Sequence, residues 1–398
     1  MFSSLKIRNF RLYWIGMLIS LIGTWVQSVA QSWLVFQLTN SSFLLGVVGF
    51  LNTFPVFLLS LFGGVIADRM NKRTIILFTQ VAFMGLAFIL AFLTQSGKIN
   101  TFQIMVIAAL NGVVMAFDAP SRQAVVVELV GKKHLLNAIA LNSAAFNSAR
   151  IFGPALAGIL IAGIGMSGCF YINGISFLAV IIALLLIKFQ ALEKEIKKTR
   201  IMDDLVEGLR FVKNNRIVLI LISMVGVTSL FGISYVILMP VFAKDVLGVS
   251  IKGFGMLMSS AGLGALIAAL ILARLGDFKH KGRLLFFSTL IFSFSLLLFS
   301  LFKVYLFSLV ILLFLGWSSV TAMSLVNTLL QILVPDNFRG RTMSAFMFAF
   351  AGIMPFGNLI AGGFAHLWGV SFTILISGVI CSIFFAAINL IHPDIINL

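Results

Sequence analysis

About a dozen apolar runs, each close to the ~20 residues a helix needs to cross a bilayer, follow one another along this chain, and nothing else in it constrains the fold as tightly. Hydrocarbon offers no partner for a bare N–H or C=O, so a spanning segment must bond its own backbone. The runs predict helices near Leu12–Gln37, Phe43–Ala67, Thr74–Gln95, Thr101–Phe117, Leu136–Gly163 and Gly168–Lys188. A second set is predicted near Ile217–Phe242, Lys252–Arg274, Leu284–Phe302, Val304–Leu333, Thr342–His366 and Val370–Ile391. Only 10% of the 398 residues are charged, against about 25% in soluble proteins, so the chain is an all-α integral membrane protein. The first run is too long for a signal peptide's apolar core and lacks a convincing cleavage site; it is expected to stay as the first span.

The net charge of +16 could suggest a nucleic-acid partner until the cations are placed. Of 28 Lys and Arg, 23 fall on alternate links, counting the N-terminal segment and the long stretch between the halves. That asymmetry is the positive-inside rule, with both termini cytoplasmic, so the charge reports topology and no nucleic-acid partner is expected. The predicted division is a six-helix bundle over 1–188, a cytoplasmic linker over 189–216 with amphipathic spacing at Leu205, Leu209 and Val212, and a second bundle over 217–398. Cys169 and Cys381 lie in apolar runs and read as packing residues. The four histidines show no ligand spacing, so no metal and no cofactor are expected.

The link after the second run, Gly63-Gly64-Val65-Ile66-Ala67-Asp68-Arg69-Met70-Asn71-Lys72-Arg73, is the densest cluster of chemistry in the chain. One carboxylate stands among three cations. Gly64 is expected to let a helix end pack closely, and Asn71 to tolerate a left-handed turn. The pattern resembles the signature loop between helices 2 and 3 of the major facilitator superfamily, which usually has glycine where Asn71 stands. A degenerate echo, Leu275–Arg283 with Asp277, lies about half a chain downstream. The resemblance implies two pseudo-symmetric six-helix bundles with a central substrate site. Phe117-Asp118-Ala119-Pro120-Ser121-Arg122-Gln123-Ala124 is similar to the helix 4–5 loop of the enterobactin-exporter-like branch. Ala149–Gly158 resembles that branch's fifth helix, and Arg339–Ser344 fits its entry to helix 11. The resemblance further implies a cytoplasmic gate of Gly64, Asp68, Arg69, Arg73, Asp118, Arg122 and Arg341. In that gate Asp68 accepts from the N-terminus of helix 11, and Arg73 meets Asp118 when the cytoplasmic side is closed.

Arg150 is the one charge well inside a predicted span, and Ser143, Asn147 and Arg150 share a helix face. A guanidinium there is costly and faces protein or a watery cavity. It either contacts an anionic substrate or anchors the Gly153-Pro154 kink by bonding carbonyls. Ser20, Gly23, Gln27 and Gln31 form a small-polar stripe in the first helix. Thr321, Ser324, Thr328 and Gln331, with Asn327 beside them, form another in the tenth. Such stripes line a cavity or glue helices together; cavity lining is expected for Gln27, Gln31, Asn147, Arg150 and the helix-10 set. None of the twelve acids is expected in the middle third of a span.

The expected function is secondary-active export of a siderophore-like or drug-like amphipathic molecule by alternating access, as a monomer in a bacterial plasma membrane, with protons as the coupling ion. Direction and coupling come from the resemblance. An importer or facilitator of a small metabolite stands as the alternative, and a receptor or scaffold as a remote one. No nucleophile–base set and no Gly-rich loop followed by Lys-Ser/Thr occurs, so neither an enzyme nor an ATP-driven pump is expected.

Overall fold

The computed structural model describes residues 3–187, 210–276 and 278–397, less the side chains of Leu61, Asp68, Lys132, Asp336, Asn337 and Asn397. Most of the expected linker over 189–216, and Asp277 of the echoed loop, lie outside these residues. Among the described residues there are helices and no strand. The first four are α1 (Arg8–Thr39), α2 (Ser42–Arg69), α3 (Lys72–Gln95) and α4 (Thr101–Gly131). Helical structure then runs on from Lys133 to Leu186, 54 residues, or about 80 Å if straight, which is twice a bilayer crossing.

Gly165, at φ 74° and ψ 177°, divides that run into α5 (133–164) and α6 (166–186), just as Gly131 at φ 65° ends α4. Positive φ costs an L-residue with a Cβ, so glycine stands at both corners. The packing shows the run doubling back. Ala138 and Leu141 of α5 share one buried cluster with Val180 and Leu184 of α6, around Phe10 and Tyr13 of α1. The remaining helices are α7 (Arg216–Val246), α8 (Ile251–Leu275), α9 (Lys281–Leu301), α10 (Tyr305–Leu333), α11 (Phe338–Trp368) and α12 (Val370–Ile391). With the Lys133–Leu186 run divided at Gly165, twelve helices of bilayer-crossing length stand among the described residues. Leu136, Phe78, Phe102 and Leu390 are more than 70% exposed, a surface suited to lipid rather than water.

Two units are separable. The first holds Met1–Asn40, Leu51–Lys197 and Ile251–Ser259; the second holds Ser41–Phe50, Lys198–Ser250 and Ser260–Leu398. Lipid is as apolar as leucine, so close backbone approach, not transfer from water, holds such helices together. In the first unit a Cβ on Gly63 would run into the Ala116 carbonyl, so α2 and α4 touch there. Gly64, expected to make that approach, has nothing within 4 Å. In the second unit α8 and α10 contact reciprocally: Gly264 lies on the Leu313 carbonyl and Gly316 on the Ala261 carbonyl. Phe242 stacks on Phe299 at 4.2 Å beside them.

One boundary departs from expectation in a way that matters for function. Helix 4 does not stop at Phe117; α4 continues through Pro120 to Gly131 and carries the Asp118–Arg122 segment inside it. Charge on a hydropathy scale looks like a helix end, but here Asp118 and Arg122 pair within α4 and Glu128 pairs with Lys72 of α3. Asp118 therefore lies inside a helix and not at its end.

Candidate functional site

At one end of the first unit, α3 and α4 run antiparallel and pair their charges in register. Asn71 does not take a left-handed turn: at φ −66° and ψ 115° it is the extended N-cap of α3, and its side chain accepts from the Arg73 N–H at 3.0 Å. Lys72, 5% exposed, meets Glu128 of α4 at 2.7 Å. Two turns further into α3, Thr79 and Gln80 donate to Asp118 Oδ1 at 2.6 and 2.9 Å. Arg122, one turn along α4 from Asp118, pairs with the other carboxylate oxygen and reaches the Met17 sulfur of α1. Tyr13 of α1 is fully buried within electrostatic range of both charges, its hydroxyl unbonded. Asp118 is thus enclosed by Thr79, Gln80 and Arg122. Arg73, its expected partner in a closed gate, here donates to the Leu185 carbonyl of α6 at 3.5 Å. Arg69 is exposed, and the Asp68 side chain lies outside the described atoms.

In the same unit α5 carries a polar face between its contacts with α1 and α8. At about 100° per residue, Ser143, Phe146, Asn147 and Arg150 fall within an arc of about 100°. One edge of that arc meets α1, where Gly153 packs on the Trp25 Cβ and the Ile22 carbonyl. The other edge meets the first turns of α8. There Ser259 donates to the Ile151 carbonyl at 2.7 Å, and Gly255 lies on the Pro154 carbonyl. Trp33 stacks on Phe254 at 5.6 Å to join α1 and α8. The outward-turned Phe152, Leu156 and Ile159 are on the opposite side of α5, the side that suits lipid. Arg150 is half-buried in the arc and makes no hydrogen bond or ion pair with any described residue, so it does not anchor the kink through carbonyls. Asn147 donates to the Ser143 carbonyl at 2.9 Å, leaving Ser143 exposed on that face.

The first-helix stripe points elsewhere. Asn173 of α6 donates to Gln27 at 2.7 Å, Gly23 packs on Asn173 and Ser176, and Ser20 is buried. These residues are the α1–α6 seam. Gln31 is half-buried and unbonded, and the exposed polar residues of α1 near it are Thr24 and Ser28, one position away from the expected stripe. Nothing in residue type separates the two stripes.

In the second unit Thr321 is buried and bonds back to the Trp317 carbonyl at 2.8 Å. Ser324, Asn327, Thr328 and Gln331 form the open polar face of α10, with Gln331 donating to Asn327 at 2.5 Å. Arg339 donates to the Gln331 carbonyl at 3.1 Å. Arg341 sits 5.7 Å from the Phe338 ring, which stacks on Phe211 at 4.4 Å.

A multi-pass helical chain with a buried ion-pair cluster at one end of its first unit and polar faces on its membrane-length helices is a small-molecule transporter of the major facilitator type. The chain belongs to the transmembrane secretion effector family of that superfamily, whose model matches residues 1–395. It is 26% identical over 368 residues to a staphyloferrin A transporter of Staphylococcus aureus, covering 90% of each chain. It is 25% identical over 338 residues to the enterobactin exporter EntS of Shigella boydii, covering 83% of this chain and 79% of that one. Among solved structures, a bacterial homologue of the human lysosomal transporter Spinster superposes with a TM-score of 0.74 at 13% identity, over 98% of both chains. A D-xylose–proton symporter does so with a TM-score of 0.71 at 14% identity, over 97% of both. These two show the fold alone.

Proposed function

We propose that this protein is a secondary-active exporter that carries an amphipathic neutral or anionic molecule, siderophore-like or drug-like, out of a bacterial cell by alternating access. The observation that carries the reading is Arg150, a guanidinium midway along a membrane-length helix with no hydrogen bond or ion pair among the described residues. A charge at such a depth costs about 2.5–3.5 kcal/mol on insertion scales, and an unpaired one is kept for a ligand. Neutral amides and hydroxyls at Ser143, Asn147, Ser28 and Gln31 complete a wall that suits an anion and gives a small cation little. Direction is supported by the relatives' names and by the secretion family. The sequence has no nucleotide loop, which argues against an ATP-driven pump, and proton coupling is proposed from the family resemblance. The protein is placed as a monomer in the plasma membrane, both termini in the cytoplasm, with bundles over 1–188 and 217–398 joined by a linker over 189–216. Gly64, Asp68, Arg69, Arg73, Asp118, Arg122 and Arg341 are proposed as the cytoplasmic gate.

The test is retention of candidate substrates in cells with and without the protein, with and without an uncoupler. Deletion raises retention, Arg150→Ala reproduces the deletion, and Arg150→Lys restores part of the export. Protein-driven uptake that ignores Arg150→Ala would overturn both direction and site.

A further inference from the structure

The polar face of α5 has an aromatic neighbour that the reading above does not use. Trp25 of α1 begins with its Cβ against Gly153 and carries its ring to Phe146, where the two meet edge to face at 6.0 Å between centroids. Gly153 and Phe146 are seven residues apart, about 10 Å along α5, so the indole runs beside the turn from which Arg150 projects. Phe146 is 46% exposed, yet it stands on the α1 side of the arc, about 120° round the helix from lipid-suited Phe152. An indole and a phenyl ring beside an unpaired guanidinium present a π surface and a cation together. A planar ring takes offset or edge contacts from the first, and its acid group takes the second. An aliphatic acid of equal charge gains only the second.

We propose that Trp25 and Phe146 form an aromatic subsite next to Arg150, and that this site selects planar aromatic acids over aliphatic anions. The proposal rests on the reading of Arg150 as the anion contact. It makes Trp25 and Phe146 residues of specificity, with Arg150 supplying affinity common to all anions.

The test uses the purified full chain in detergent and two probes matched in charge and lipophilicity, 1-naphthoate and octanoate, with dissociation constants measured by calorimetry. Wild type binds 1-naphthoate more tightly than octanoate. Trp25→Leu and Phe146→Leu, which keep a Cβ for helix packing, each shrink that ratio by about 3- to 10-fold. Trp25→Phe, a milder change, shrinks it less, and size-exclusion profiles confirm that all variants are folded. Arg150→Ala weakens both probes alike. If the ratio survives the Trp25→Leu/Phe146→Leu double variant while Arg150→Ala weakens both, the subsite falls and the anion contact stands. If the ratio collapses but Arg150→Ala changes neither probe, the subsite stands and the anion contact falls. A wild type that binds neither probe, or binds both equally, overturns the subsite.

Discussion

Asp118→Asn is the change whose cost the structure defines best. The carboxyl group is 2% exposed and its partner Arg122 is 16% exposed, so the pair is shielded from solvent. Removing the charge leaves a buried guanidinium without its counter-ion, a loss of about 3–5 kcal/mol when a buried pair is broken. The asparagine carbonyl still accepts from Thr79 or Gln80, which keeps part of the hydrogen bonding, at about 1–2 kcal/mol per bond. The net expectation is about 3 kcal/mol of lost stability. Arg122→Gln leaves Asp118 with its two neutral donors and costs about the same. The double variant has no orphaned charge, so it costs much less than the sum, with a coupling of about 2–3 kcal/mol. The assay is a double-mutant cycle of denaturant-induced unfolding in mixed micelles, followed by far-UV circular dichroism. Singles costing under about 1 kcal/mol, or a double that simply adds, would show that the pair carries no structural weight and refute the reasoning.

Three further outcomes follow from particular residues. Lys98→Cys, in the link between α3 and α4, is expected to label from outside intact cells, and Lys133→Cys, at the start of α5, only after permeabilisation; the reverse pattern would invert the topology. Gly63→Ala forces apart the α2–α4 contact at the Ala116 carbonyl and is expected to lower folded yield several-fold, whereas Gly64→Ala meets open space and leaves yield near wild type; equal yields would sink that distinction. Asp68→Asn is expected to cut export well below wild type at matched expression and folding, and unchanged export would remove Asp68 from the proposed gate.

The twelve crossings were legible because hydrocarbon forces every backbone group into a helix, which leaves long uncharged runs that survive in any reading of the chain. The end of helix 4 was not. A charge is costly in lipid only while unpaired; Asp118 is paired with Arg122 four residues on, and its neutral donors Thr79 and Gln80, like Lys72 that pairs with Glu128, sit on α3, 38 to 56 residues back in sequence. Asn71 misled for a related reason, since asparagine serves both left-handed turns and N-caps, and only the backbone decides between them. The stripe through Gln27 failed differently. A seam between helices and a wall facing water both call for small polar residues at helical spacing, so the sequence pattern is the same for each.

Arg150 was legible in kind, and the contrast with Arg122 gives it meaning. Both guanidiniums belong to helices of the same unit. Arg122 is matched to an acid one turn away, with Thr79 and Gln80 completing the acid's shell. The unit therefore satisfies its buried charges where folding alone requires it, as Lys72 with Glu128 also shows. Arg150 has no such partner among the described residues, although Ser143 and Asn147 stand within two turns of it and bond to each other instead. A unit that pairs Lys72 and Arg122 with acids has no stability reason to leave this one open, because filling it with leucine would remove the cost of the charge altogether. The proposed anion contact is what the open guanidinium would supply and leucine would not.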